Sequence, residues 1–301
     1  MNKTPRVNGI LNTGGTMAVT NSAVGNRPTV NLGTSAEHRG GARPQHTDVG
    51  IITVLGVETN AVRLALGLQE TPVGALRFYT GACGGLKIAA IRALAQGQRS
   101  AMAAYENLRR HFDPKIMVLA GIGGGIHGDV AVGDVVVATR VVYYDLRKKT
   151  PEGTHRRGEE RETSAAVGHA INAFFTDHDP AEFPVEDPGG TRRDLRMFHG
   201  PIGSGEAVVA DGEADVVRYL ASFNNKILAL DMEAGGLSQV THEHSADTGR
   251  LHGWVVVRGI SDTADASKDD AHHRTASWHA AVALGKLIPY LKTPALPQEA
   301  H

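Results

Sequence analysis

The stretch Val49-Gly50-Ile51-Ile52-Thr53-Val54-Leu55 constrains this chain more than any other. It is an almost unbroken apolar run, too short for a stable helix and lacking the alternation of a half-exposed strand. Such a run reads as a strand covered on both faces, the kind found in parallel sheets sandwiched by helices. The pattern then repeats. A helix follows through Leu66, and Leu86 to Leu94 alternates in part like a strand. Gly97 to His111 predicts an amphipathic helix with Met102, Tyr105, Leu108 and Phe112 on one stripe, stopped by Asp113-Pro114. Lys115 to Ala120 reads as a short buried strand leading into a glycine loop, Gly121-Ile122-Gly123-Gly124-Gly125. Further strands are expected at Val132–Val142, Met197–Gly203, Ile227–Leu230 and Trp254–Ile260. Helices are expected at Ser164–Phe175, from Glu213, from Glu233, and from about His272 to Leu291. Residues 147–163 and 184–196 read as charged loops. Strands alternating with helices predict an α/β fold, a mixed, mostly parallel twisted sheet with helices on both faces.

Residues 1–47 differ from this pattern. They are rich in Gly, Asn, Thr, Ser and Arg, with isolated apolar residues, a composition that cannot offset the entropy of ordering. They read as a flexible polar N-terminal tail, in which Thr16–Thr20 and Thr29–Leu32 have enough alternation to pair with a protein partner. One domain is expected over 48–295 and a short C-terminal tail over 296–301. The formal net charge of -1 supplies no field to draw the chain to nucleic acid or an anionic membrane. Cys83 is the only cysteine, which excludes an internal disulfide and a thiolate metal cluster. No apolar run reaches the length of a membrane span, and the N-terminus lacks the apolar core of a signal peptide, so the cytoplasm is the expected compartment.

The glycine loop invites a dinucleotide-binding reading, which fails on two counts. Ile126 stands where the third Gly or Ala of that fingerprint belongs, and Gly133-Asp134-Val135-Val136-Val137 opens a strand where a helix body is required. No cofactor is expected. The glycines would still let a ligand approach the backbone, or form a tight turn alone. His242 and His244, or His272, His273 and His279, lack the helix-spaced carboxylate partner of a metal site and read as solvated helix-face residues; no metal is expected.

Four ordered segments carry a resemblance. They are Val49-Gly50-Ile51-Ile52 with Glu58, and Ala120 to Gly125 with Val132-Gly133-Asp134 and Tyr144-Asp145. Next come Gly203-Ser204-Gly205-Glu206-Ala207 with Asp231-Met232-Glu233-Ala234, and then Val257-Arg258-Gly259-Ile260-Ser261-Asp262 running on through Ala264-Asp265. Over about residues 48–292 the set resembles the purine nucleoside phosphorylase/nucleosidase superfamily, most closely its methylthioadenosine/S-adenosylhomocysteine nucleosidase-like branch. The resemblance implies a three-layer αβα, phosphorylase/hydrolase-like fold. It also implies cleavage of the N-glycosidic bond of a purine, with adenine the expected base, in a nucleoside or nucleotide, by a homo-oligomer, a dimer or larger.

Breaking a C1′–N9 bond requires a proton for the departing purine and a nucleophile for the oxocarbenium-like sugar. By resemblance, Asp262 protonates the purine and Glu58 activates water. Against these roles stand a Ser-Asp turn pair and a first-turn helix glutamate favoured by the dipole. Glu233 would accept bonds from the ribose hydroxyls, with Met232 against the sugar. Against the Glu233 role stands, again, a helix-start glutamate. Backbone near Val208 and Val209 would read the base, Gly123, Gly124 and Ser204 would contact substrate, and Arg258 would support the Glu58 side or serve a structural ion pair. Three positions depart from the family: Val208 replaces the stacking aromatic, Ile122 replaces the loop serine, and Asp231 replaces a glutamate. Ala120 stands near where phosphorylases of the hexameric type place a phosphate-clamping arginine, which favours hydrolysis over phosphorolysis. A non-catalytic nucleotide-sensing module is the competing class, and the intact Glu58/Asp262 pair argues against it. Arg147, Lys148 and Lys149 occupy the stretch that, in the resembling enzymes, lines a neighbouring subunit's 5′ pocket. Their charge, with Arg156 and Arg157 soon after and Arg192, Arg193 and Arg196 further on, suits a 5′-phosphate through charge-assisted bonds, and a solvated mixed-charge loop is the competing reading.

Overall fold

A computed structural model describes residues 45–151, 153–207, 215–250, 252–263 and 272–292. The chain runs through β1 (Val49–Thr53) and α1 (Gly56–Ala65) into an antiparallel run of β2 (Gln69–Val73), β3 (Leu76–Cys83) and β4 (Leu86–Arg92). Then α2 (Gln98–Phe112) leads to the long β5 (Ile116–Gly125), β6 (Val135–Ala138) and β7 (Arg140–Tyr143). A hairpin of β8 (Arg147–Thr150) and β9 (Gly153–Arg156) precedes β10 (Glu159–Glu162) and α3 (Ala165–Asp177). After β11 (Glu182–Glu186), β12 (Arg192–His199) and β13 (Ile202–Ser204) come α4 (Asp215–Phe223) and β14 (Ala229–Asp231). The last elements are α5 (Ala234–Thr248), β15 (Gly253–Asp262), α6 (His273–Leu287) and a closing 3-10 turn, Ile288–Leu291.

Every residue of β1 is buried, and it pairs in parallel with β4 on one side and β5 on the other. Because strand side chains alternate, Ile51 joins the core beneath α1 and α6, while Ile52 joins the core beneath α2 and α5. Val257 and Val256 of β15 divide in the same way. Two apolar layers on one mixed sheet make the expected three-layer αβα arrangement, with β15 also parallel to β5. Each fully buried Ile, Leu or Val in these layers contributes about 1.5–3 kcal/mol relative to exposure.

Three expectations are corrected. The glycine run is no loop: Gly121 to Gly125 continue β5, paired with β15 along one edge and with β14 at Gly124 and Gly125 along the other. The charged stretches 147–163 and 184–196 are largely strands, β8 to β10 and β11 with the start of β12. The expected Val132–Val142 strand is two, β6 and β7, which pair with different neighbours. Backbone bonds from Gln45 to His111 and from Thr47 to Phe112 attach the chain to the end of α2 ahead of β1. The N-terminal tail through residue 44 and the C-terminal residues after Lys292 lie outside the described residues.

Candidate active site

A cavity of about 240 Å³ opens where β1, β5, β14 and β15 end, and Glu58, Asp231, Glu233, Arg258 and Asp262 all line it. Arg258 is its electrostatic centre. The side chain is fully buried, and such a cation persists only with partners that replace water. Nε and Nη2 donate to Asp231 Oδ2 at 3.1 and 2.7 Å, and Nη2 also donates to Glu233 Oε2 at 2.8 Å. Burial works against its charge, but Asp231, Glu233 and Glu58 more than compensate and hold its pKa above the ordinary value. For Glu233 burial dominates: it raises the carboxyl above its usual range, Arg258 pulls it back, and the net direction is upward. Its other oxygen accepts the Gly97 N–H at 2.9 Å.

Glu58, at the third position of α1, is also buried. Its Oε2 accepts the N–H groups of Val54 and Leu55 at 2.8 and 2.7 Å, and Oε1 accepts that of Ile122 at 2.9 Å. A carboxylate offers about four lone-pair sites, so these three bonds fix its orientation and leave one for a water molecule. Gly121 explains why β5 carries a glycine here. A Cβ at that position would run into both Glu58 Oε1 and Arg258 Nη1, so its absence lets the carboxylate and guanidinium share one small space.

Asp262 ends β15 beyond a bulge. Ile260 pairs with Gly123 and Asp262 with Gly124, leaving Ser261 as the extra residue. Without the bulge, Asp262 would follow Ile260 onto the core face; with it, both Ser261 and Asp262 line the cavity. Ser261 Oγ donates to Asp262 Oδ2 at 2.8 Å. The Ser-Asp pair and the place in the cavity therefore coexist.

The first turn of α5 supports the floor. Helix N-termini leave backbone N–H groups without intrahelical acceptors. Here Ala234 N–H goes to Asp231, Gly235 N–H to Ser204 Oγ at 2.9 Å, and Gly236 N–H to Gln98 Oε1. Gln98 Nε2 donates in turn to Ser204 Oγ at 3.0 Å and to the Gly205 carbonyl at 3.2 Å. Ser204 is thus fully buried and, unlike the expected substrate contact, does not line the cavity; it holds α5. Gln98 was missed in the sequence because a glutamine in the first turn of an amphipathic helix looks like a solvated residue.

Met232, Gly123 and Gly124 line the cavity, together with Gln96 and His273. Val208 and Val209 lie outside the described residues. Arg147, Lys148 and Lys149 stand on the β8–β9 hairpin, largely exposed and away from this chain's own cavity. Of the histidines weighed as ligands, His242 and His272 are exposed, while His244 and His279 are buried, contrary to a uniformly solvated set. Among the described residues, no group of three or more His, Cys, Asp or Glu is placed to hold a metal ion.

The chain is 25% identical over 205 residues to the ATP nucleosidase Cap17 of Escherichia coli. That match takes in 62% of this chain and 38% of the relative, so the chain spans well under half of Cap17. It is 27% identical over 218 residues to the 5'-methylthioadenosine/S-adenosylhomocysteine nucleosidase of Psychromonas ingrahamii, covering 72% of this chain and 86% of that one. The fold matches the crystal structure of the corresponding Neisseria meningitidis nucleosidase with methylthio-immucillin-A at a TM-score of 0.63 and 19% identity, covering 81% and 99% of the two chains. The family model of the phosphorylase superfamily matches residues 48–292, which contain the whole of the cavity lining, and the chain belongs to that superfamily.

Proposed function

We propose that this chain is an N-glycosyl hydrolase that releases the free base from a purine nucleoside or nucleotide. The observation that carries this reading is the charge of the cavity. Among the described residues, four carboxyl side chains line it, Glu58, Asp231, Glu233 and Asp262, against one guanidinium, Arg258, which is already bonded to two of them. The N-terminus of α5, otherwise a ready anion site, has its first three N–H groups taken by side chains. A phosphate nucleophile would meet carboxylates among these residues; a water molecule suits the remaining lone pair of Glu58.

In this mechanism the C1′–N9 electron pair leaves with the purine, which takes a proton at N7 from Asp262. Water bonds to C1′ and gives its proton to Glu58. Glu233 accepts the ribose hydroxyls, and Arg258 fixes Glu233 and Asp231 while sharing the Gly121 gap with Glu58. The products are the base and a reducing sugar.

Adenine as the base is supported by the relatives' names, which specify ATP, methylthioadenosine and S-adenosylhomocysteine. A 5′-phosphate is supported by Arg147, Lys148 and Lys149, whose exposed strand would serve a neighbouring subunit's pocket in a cytoplasmic homodimer. The test is incubation with adenosine, AMP, ATP and methylthioadenosine, with and without inorganic phosphate, reading base and sugar by chromatography. Free base with reducing sugar at equal rates in both conditions is expected. Strict phosphate dependence with ribose 1-phosphate would establish phosphorolysis, and no base from any compound would leave a sensing module.

A further inference from the structure

Two largely buried charges outside the cavity hold its edge. Asp145, just after β7, accepts the Glu206 N–H on Oδ2 at 2.5 Å. Its Oδ1 lies 3.6 Å from Nη1 of Arg156, and the two side chains are only 12% and 9% exposed. The other end of the Arg156 guanidinium, Nη2, donates to both carboxylate oxygens of Asp215, the first residue of α4, at 3.2 Å. Nη1 also donates to the Tyr144 carbonyl at 3.3 Å. Nε is buried without a partner among the described residues, and the guanidinium's other end is directed at its two carboxylates.

The arrangement joins two points of chain that matter to the cavity. Glu206 immediately precedes Ala207, which lines it, and Asp215 begins the helix that follows. Tyr144 tightens the same corner. Its N–H donates to the Ser204 carbonyl at 3.1 Å, and its ring fills the space that a Cβ on Gly205 would need. Three successive residues, Ser204 to Glu206, are therefore held by Tyr144 and Asp145 from the end of β7, and Arg156 of β9 braces Asp145.

We propose that Asp145 and Arg156 are positioning residues that fix Glu206 and Ala207 against the cavity and tie them to the start of α4. This makes the β8–β9 hairpin a determinant of how well the purine is held. The effect on turnover rests on the proposed nucleosidase reading; the structural effect does not. Arg147 pairs across the hairpin with Arg156. A contact on the exposed strand β8 is thus one rung from the brace.

The experiment combines backbone amide hydrogen exchange at Glu206 with steady-state kinetics of base release from AMP. The variants are Asp145→Ala, Asp145→Asn and Arg156→Met. Removing the acceptor in Asp145→Ala should speed Glu206 exchange by about tenfold or more, because the bonded state no longer protects it. KM should rise roughly 10- to 100-fold with kcat changed less, since this corner positions substrate without touching the reacting bond. Asp145→Asn keeps an oxygen for the Glu206 N–H and should recover much of both effects; a merely structural role gives no such rescue. Arg156→Met should raise KM in the same direction. Unchanged exchange in Asp145→Ala would overturn the proposal, as would a fall in kcat at constant KM. If the wild-type protein releases no base from any purine compound, the proposed function fails, and the exchange result alone decides this one.

Discussion

Replacing Arg258 with Met tests the electrostatic centre directly. Met has similar length and no charge, so the variant loses both bonds to Asp231 and the bond to Glu233 while filling much of the same volume. Removing one partner of a buried ion pair costs about 3–5 kcal/mol, because the carboxylates stay behind without compensation. For a domain of this size each kcal/mol lowers Tm by roughly 2–4 °C, which puts the expected drop at roughly 6–20 °C near neutral pH. The pH dependence sharpens the test. The folded Glu233 carboxyl already has a pKa above its ordinary 4.5, so the folded state binds more protons over the window between the two values. Stability therefore falls as pH rises through that window. Arg258 is the largest influence pulling Glu233 down, ahead of the Gly97 N–H, so its removal extends the window upward and enlarges the loss. Thermal denaturation at pH 5 and pH 8 should show the variant much closer to wild type in acid, and adding Glu233→Gln should recover part of the loss at pH 8. A destabilisation below about 1 kcal/mol, or one equal at both pH values, would refute the assignment of a buried cation compensating two carboxylates.

Three further outcomes follow from the same geometry. Asp262→Asn should fold with an unchanged melting curve and lose about 10²–10⁴ in kcat for base release, since an amide cannot donate the proton the purine needs. Gly121→Ala should displace Glu58 and Arg258 together, lowering kcat/KM by about 100-fold while circular dichroism shows the fold retained. Changing Arg147, Lys148 and Lys149 together to Ala should lower kcat/KM for AMP and ATP by about tenfold or more and leave adenosine unaffected, since each charge-assisted bond to phosphate is worth about 1.5–3 kcal/mol.

The central layers could be read from the sequence because burial on both faces leaves a strong signature. Val49 to Leu55 is apolar but for Thr53, and Trp254 to Ile260 but for Arg258, and α2 carries a clear stripe. The edge of the sheet left no such mark. β8 and β10 expose nearly all their residues, so Arg147–Thr150 and Glu159–Glu162 show neither an apolar run nor alternation. Glycines in β5 looked like a turn because local propensity reports backbone freedom; the need here is space for Glu58 and Arg258 between paired strands. The resemblance pointed to Glu58, Glu233 and Asp262 as a set, and the structure brings all three to one cavity. The bulge at Ser261 and the bridging role of Gln98 arise from register and from contacts between elements far apart in the chain, which no window of sequence contains.

The capping of α5 has a consequence for how this protein breathes. Its first three amide groups are tethered to Asp231, Ser204 and Gln98, which belong to β14, β13 and α2. The helix therefore cannot fray from the end nearest the cavity without three separate elements letting go at once. At its far end, exposed around Thr248 and the left-handed Gly249, the Thr248 and Ser245 hydroxyls bond, among the described residues, within the helix and to Arg250 and His252 just beyond it, so the tethers there are local. Local opening should accordingly begin at the C-terminal turn and stop short of Glu233, so that this carboxylate leaves the cavity only in the global unfolding of the domain.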